Sequence, residues 1–249
     1  HGRHILCSSF DEKKYDEVLT FLGLKYVDDE WYAKCIGSSN FVSGVSEDLY
    51  LDFLLFLAEN WGSFASTSFT NIPLLKYVRG DGVVCLCSIN YSLGHPSMLL
   101  LSNESRHISW LIDWSKEFRC AGNQFFLPKS MQDLIWSYCM RITILDWLVN
   151  QVKVGSVNVN DYASLLSKSL NGNPNSVVIY AHFLYHSLAR NFLSKGEVDR
   201  LCFSMPLVDN YGQVTTGIGS ILVPAKGSRW LQLIGSNPWR KEGYIELGE

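Results

Sequence analysis

In "AHFLYHS", residues 181–187, two histidines stand four positions apart within a run of helical periodicity, so His182 and His186 leave the same helix face. Two imidazoles at that spacing have the geometry of a two-histidine metal face. Between them lie Phe183, Leu184 and Tyr185, so the glutamate of the zinc-protease pattern is missing, and no nearby acid or cysteine supplies a third ligand. A metal-dependent or other enzyme using His182 and His186 therefore needs partners from distant segments. It stands as the alternative to a plain pair of core or surface histidines.

The remaining reactive-looking spacings are weaker. Cys85-Leu86-Cys87 is a C-x-C with no second pair at ligand distance, which suits ordinary strand thiols. The glycine turns "GDG" at 80–82 and "GIGS" at 217–220 expose backbone N–H groups, yet neither is a phosphate loop nor a complete dinucleotide fingerprint. No G-x-S-x-G elbow supplies a serine nucleophile, and His95 in "GHP" reads as a loop residue. The chain thus implies no catalytic residue, no cofactor and no assigned metal ligand.

Aromatic residues offer a different chemistry, that of binding. The chain has eight Trp, twelve Tyr and thirteen Phe. Trp110 and Trp114 share one helix face, and Trp31, Trp136 and Trp147 also fall in helical runs, where burial is the usual fate of large rings. Trp and Arg are the residues that most often anchor a protein partner, and Trp239-Arg240, beside the turn "GSNP", is the expected partner-binding pair.

Composition narrows the classes. The chain has 249 residues, 47% of them hydrophobic and 18% charged, with a net charge of −3, which describes a folding sequence without a basic stripe for phosphates. Nucleic acid is a poor fit, and a patch around Lys226, Arg229, Arg240 and Lys241 is the weaker alternative. Seven cysteines without framework spacing suggest reduced, mostly buried thiols and an intracellular setting. The strongest apolar run, Leu49–Ala58, is broken by Asp52 and falls short of the roughly 20 residues of a membrane span.

The elements that must carry these residues suggest an α+β fold, helix-rich, with short antiparallel hairpins and a β-rich C-terminal part. Helices are expected after Ser9 or Asp11 with a stop at Gly23, over "DDEWYAKCIG", and from Ser46 through "EDLYLDFLLFLAE", a helix apolar nearly all round and so central. "IPLLKYVRGDGVVCLCSIN" reads as a hairpin with Cys85 and Cys87 on one face, and "SMLLLS" as a further strand. Helices return at "SRHISWLIDWSKEF", at "SMQDLIWSYCMR" with a Ser-x-x-Asp capping pattern, at "TILDWLVNQV", at "NDYASLLSKSL" and at "NSVVIYAHFLYHSLARNFLS". "DNYG" suggests a second hairpin, followed by short apolar runs. One segment results, divisible into 1–70 helical, 71–104 β-hairpin, 105–203 helical and 204–249 β-rich.

Three stretches carry a resemblance: "KYVDDEWYAKCIGSSNFVSGVSEDLYLDFLLFLAENW", "IPLLKYVRGDGVVCLCS" and "MPLVDNYGQVTTGIGSILVPAKGSRWLQLIGSNPWRKEGYIELGE". From about residue 20 onward the chain resembles an internal segment of the large plant proteins similar to sacsin and to No Vein. That resemblance implies an Hsp90-type ATP-binding module well upstream and a chaperone-like or scaffolding context. The ATP site of such a module needs an Asn-bearing helix and a D-x-G-x-G turn. "DGVVC" from Asp81 departs from that pattern at once and "GIGS" lacks its preceding Asp, so no ATP-site residue carries over. The expectation is a non-catalytic scaffold or interaction module with protein partners, including neighbouring domains of a parent chain, and the abrupt "YIELGE" reads as a cut within it.

Overall fold

The computed structural model describes residues 12–23, 27–119, 123–170, 172–208 and 212–215. Local signals start and stop the first helices. α1 (Glu12–Phe21) runs into Gly23, whose φ of 76° suits glycine. α2 (Asp29–Gly37) starts where the Asp28 carboxylate accepts the Trp31 N–H at 2.8 Å. After the single turn α3 (Phe41–Gly44), Ser46 caps α4 (Glu47–Glu59), with Glu47 and Asp48 at the positive end of the helix dipole. α5 (Trp61–Phe64) and a 3-10 turn at Ser68–Asn71 lead into the hairpin.

Strands β1 (Pro73–Val78) and β2 (Val84–Ser88) pair antiparallel, with Leu75 opposite Cys87 and Tyr77 opposite Cys85. Their turn is the expected one: Gly82 takes φ 83°, the Gly82 N–H donates to Arg79 O at 2.8 Å, and Asp81 accepts from the Val83 N–H. α6 (Ile89–Gly94) follows directly, capped by Ser88.

A second, parallel sheet holds the centre. β3 (Leu99–Ser102) is its middle strand. α7 (Ile108–Glu117) returns the chain to β4 (Phe125–Phe126) on one side. α8 (Lys129–Ser137), α9 (Arg141–Asp146) and a π-helical stretch at Trp147–Gln151 then lead to β5 (Gly155–Val157) on the other. The order is β4-β3-β5. A Cβ at position 155 would lie 2.8 Å from Leu100 Cδ2 and 3.1 Å from Ser97 Cβ, so the approach of β5 to β3 requires Gly155.

Alternation along β3 assigns its side chains to two cores. Leu99 and Leu101 join the core formed with α4, the β1–β2 hairpin, α8 and α9, while Leu100 joins the core of α7 and the C-terminal helices. Both faces are covered, which is why "LLL" is a continuous apolar run and not an alternating one. The second core is completed by α10 (Val159–Ser169), α11 (Pro174–Ala189) and α12 (Lys195–Phe203). Against it packs the short antiparallel pair β6 (Leu207–Val208) and β7 (Val214–Thr215).

The helix-rich α+β class holds, with differences in detail. The stretch 105–203, expected to be all helical, contains β4 and β5, strands of two and three residues that are too short to show a period of two. The central sheet is parallel, which the hairpin signals did not reveal. α4 is not buried all round: Tyr50, Leu51, Leu54 and Leu57 face the core, whereas Leu49, Asp52 and Phe56 are exposed. Ser130 does not cap α8, because the helix starts one residue earlier, behind Pro128, and Asp133 instead pairs with Lys129. Of the described cysteines Cys87 is buried, Cys35 and Cys85 are half-buried, and Cys139 and Cys202 are exposed, so the mostly buried thiols do not hold. The expected β-rich C-terminal part is not supported: among the described residues of 204–249 there are two strands of two residues each, β6 and β7, and 216–249 lies outside the described residues. No helix among the described residues is long and apolar enough to cross a membrane.

Candidate interaction face

Helical spacing does bring His182 and His186 together on α11, with ring centroids 6.1 Å apart. His182 is half-buried and His186 exposed. Among the described residues no group of three or more His, Cys, Asp and Glu is placed to hold a metal ion. The neighbours of His186 are aromatic: Tyr185 at 5.2 Å and, across the helix boundary, Trp114 of α7 at 6.3 Å.

The same spacing orders α7. Ile108, Leu111, Ile112 and Ser115 point inward, which leaves Trp110 and Trp114 half-buried along the seam with α11. Trp114 stands edge-on to the buried Phe183 at 5.3 Å and to Trp110 at 5.6 Å. The Trp110 indole N–H donates to Ser187 Oγ at 3.0 Å, so the one polar atom of this ring is satisfied. Arg190 closes α11, where a cation suits the negative helix end, and its guanidinium lies 4.5 Å above the Trp110 ring. Asn191 then turns with φ 58°, and Phe192 folds back, its N–H donating to Ser187 O at 2.8 Å. The Phe192 ring thereby meets Trp110 at 5.5 Å and His107 at 4.6 Å.

One line of rings results. Phe126 of β4 touches Tyr162, Tyr162 touches Phe183, and the contacts continue through Trp114, Trp110 and Phe192 to His107, each pair within 6.0 Å. The line starts on the sheet and reaches the surface where Tyr185, His186 and Arg190 are exposed. Such a face provides ring planes, a guanidinium and an imidazole for contact with another molecule.

His107 is the unusual member. It is 2% exposed, neither ring nitrogen has a hydrogen-bond partner among the described residues, and the Glu104 carboxylate stands close by, with Oε1 3.7 Å from Nδ1. Burial holds its imidazole below the usual range, against the opposing pull of Glu104.

Other polar sites are structural in geometry. Lys76, 7% exposed, pairs with Glu47 at 2.8 Å and lies 4.2 Å over the Tyr50 ring, and the Tyr50 hydroxyl donates to Leu74 O. This group ties α4 to β1, and burial pushes the Tyr50 phenol far above its ordinary range. In "PLLKYV" the apolar residues on both sides of Lys76 are the signal of a strand covered on two faces. At the carboxyl ends of the parallel strands, where α/β sheets commonly seat ligands, Gln132 fills the space. It is 1% exposed, accepts from the Ser102 N–H and donates to Leu127 O.

Described residues also line two open clefts. One, of about 880 Å³, lies beside Trp31, Lys34, Cys35 and Asn71. The other, of about 460 Å³, is flanked by Arg79, Lys116 and Arg119, but Asp81 takes Arg79 and Asp113 takes Lys116. Among the other tryptophans, Trp147 is buried against Trp61 and Trp136 lies under Arg141. The expected anchors Trp239 and Arg240 lie outside the described residues, as do Lys226, Arg229, Lys241 and "GIGS". Comparison of the chain with protein-family models, curated proteins and solved structures finds no match.

Proposed function

We propose that this segment is a non-catalytic scaffold or protein-interaction module of a large intracellular, chaperone-like protein of the sacsin-like and No Vein-like kind, and that it meets its partner through the α7–α11 face. The partner we favour is a neighbouring domain of the parent chain. The carrying observation is the half-exposed run of Trp110, Trp114, His186 and Arg190, since rings and a guanidinium on a rigid helical seam are what protein interfaces select for their central contacts. The filling of the sheet's carboxyl end by Gln132 favours recognition over turnover at the place where a substrate would first be sought.

Calorimetric titration of the segment against separately produced neighbouring segments of the parent chain tests this reading. Association is expected, weakened at least tenfold by the double variant Tyr185→Ser, Arg190→Glu, whose side chains are exposed, and unchanged by Phe56→Ser on the opposite core. Association indifferent to the double variant overturns the face. Tight, magnesium-dependent ATP binding by the segment alone overturns its non-catalytic character.

A further inference from the structure

His107 occupies the junction between α7 and the turn that follows α11. Its ring is walled by Phe192, and Phe192 in turn walls Trp110, so the imidazole supports the edge of the ring line that reaches the surface. A neutral ring can stay in this site without a hydrogen bond. A protonated one gains a second N–H donor and a full charge, and among the described residues neither nitrogen has a hydrogen-bond acceptor, Glu104 Oε1 standing 3.7 Å from Nδ1.

The surroundings do not welcome the charge. Glu104 opposes it from 3.7 Å, but that carboxylate already accepts from Arg106 Nε at 2.7 Å, and the Arg106 cation acts against protonation. From α8, packed on the same turn, the charged side chains are Lys129 and Asp133, exposed and paired with each other. From the turn after α11 the ring meets Phe192, while Arg190 lies over Trp110. His107 also precedes the first residue of α7, at the positive end of that helix dipole.

We infer that His107 is an acid-sensitive latch: neutral, it holds the 191–193 turn against α7, and protonated, it leaves its pocket toward Glu104 and solvent, releasing Phe192 and uncovering the edge of Trp110. Its sign follows from linkage. The folded chain binds this proton less readily than the unfolded chain, so the latch's contribution is complete above the ordinary imidazole pKa of about 6.5 and is lost as pH falls below it. Regulation of partner binding by this latch rests on the interaction reading above, whereas the latch itself does not.

Proton-carbon NMR of the histidines, together with the Trp110 indole N–H resonance, tests it between pH 7.5 and pH 4.5. The expected result is a His107 midpoint below those of exposed histidines, with the Trp110 indole signal moving at the same midpoint. In His107→Phe the ring packing is kept without a titrating group, and the Trp110 transition should vanish. Should that variant not fold, Glu104→Gln, altered at a half-exposed side chain, is expected to move the His107 midpoint further down by removing the opposing charge. A Trp110 transition that persists in His107→Phe, a His107 midpoint at or above the ordinary value, or an unmoved midpoint in Glu104→Gln overturns the latch. Absence of partner association at every pH, with the His107 and Trp110 transitions intact, overturns the interaction reading and leaves the latch in place.

Discussion

On one face of the three-stranded sheet aromatic rings stand in separate groups: Trp61 with Trp147, Phe41 with Phe53, and Phe64 between Phe56 and Phe69. On the other face they form one continuous line from Phe126 to His107. The first core also encloses a Lys76–Glu47 pair, while the second brings its polar groups, Ser187 and Arg190, to the rim of an indole. Both cores bury leucines of the same strand, so their difference is one of use. The grouped rings fill volume, and the connected ones join the sheet to a surface that can touch another molecule.

The sharpest way to break this contrast is to remove one ring from each side. Phe69→Ala and Phe183→Ala should each cost about 3–5 kcal/mol in denaturant unfolding, because both are fully enclosed. Only Phe183→Ala should also shift the Trp110 and Trp114 indole resonances, and equal shifts from Phe69→Ala would dissolve the distinction between grouped and connected rings. A smaller effect is expected from Lys76→Met. It strands Glu47, whose Oε2 is already buried without a partner, but the carboxylate's side chain remains 38% exposed, so the loss should be about 1–3 kcal/mol. A gain in stability on this single change would remove the ion pair as a feature of the first core.

The smallest effect belongs to the exposed β1–β2 turn, away from both cores. Arg79 holds the Asp81 carboxyl down at about 2, helped by the Val83 N–H. A folded value below the unfolded one means that the turn's bridge is intact above the ordinary Asp range and is lost as pH falls toward 2. Carboxyl NMR should find this low midpoint and its return toward the ordinary value in Arg79→Ala. An unmoved midpoint in that variant would assign the shift to the backbone N–H instead.

Local features were legible from residue types alone. Asp28 and Ser46 announce their helices, Asp81-Gly82 announces its turn, and Asn158 with Asp161 closes a capping box on a helix that the periodicity of "NDYASLLSKSL" already indicated. What could not be read depends on distant residues. β4 and β5 are strands only because β3 lies between them: in register, Leu100 stands opposite Phe126, 26 positions later, and opposite Gly155, 55 positions later. The candidate face was half visible: the i, i+4 spacings of Trp110 with Trp114 and of His182 with His186 were evident, but their meeting across two helices was not. His107 carried no signal beyond preceding an apolar run, since burial of a lone imidazole is decided by Phe192, 85 positions later.

The sharing of β3 between two cores also governs how this chain can be divided. A protease acting between Ser102 and Phe125 would liberate no half able to fold by itself. The N-terminal piece would retain Leu99–Ser102 with both edges stripped of partners, an apolar template for pairing between molecules.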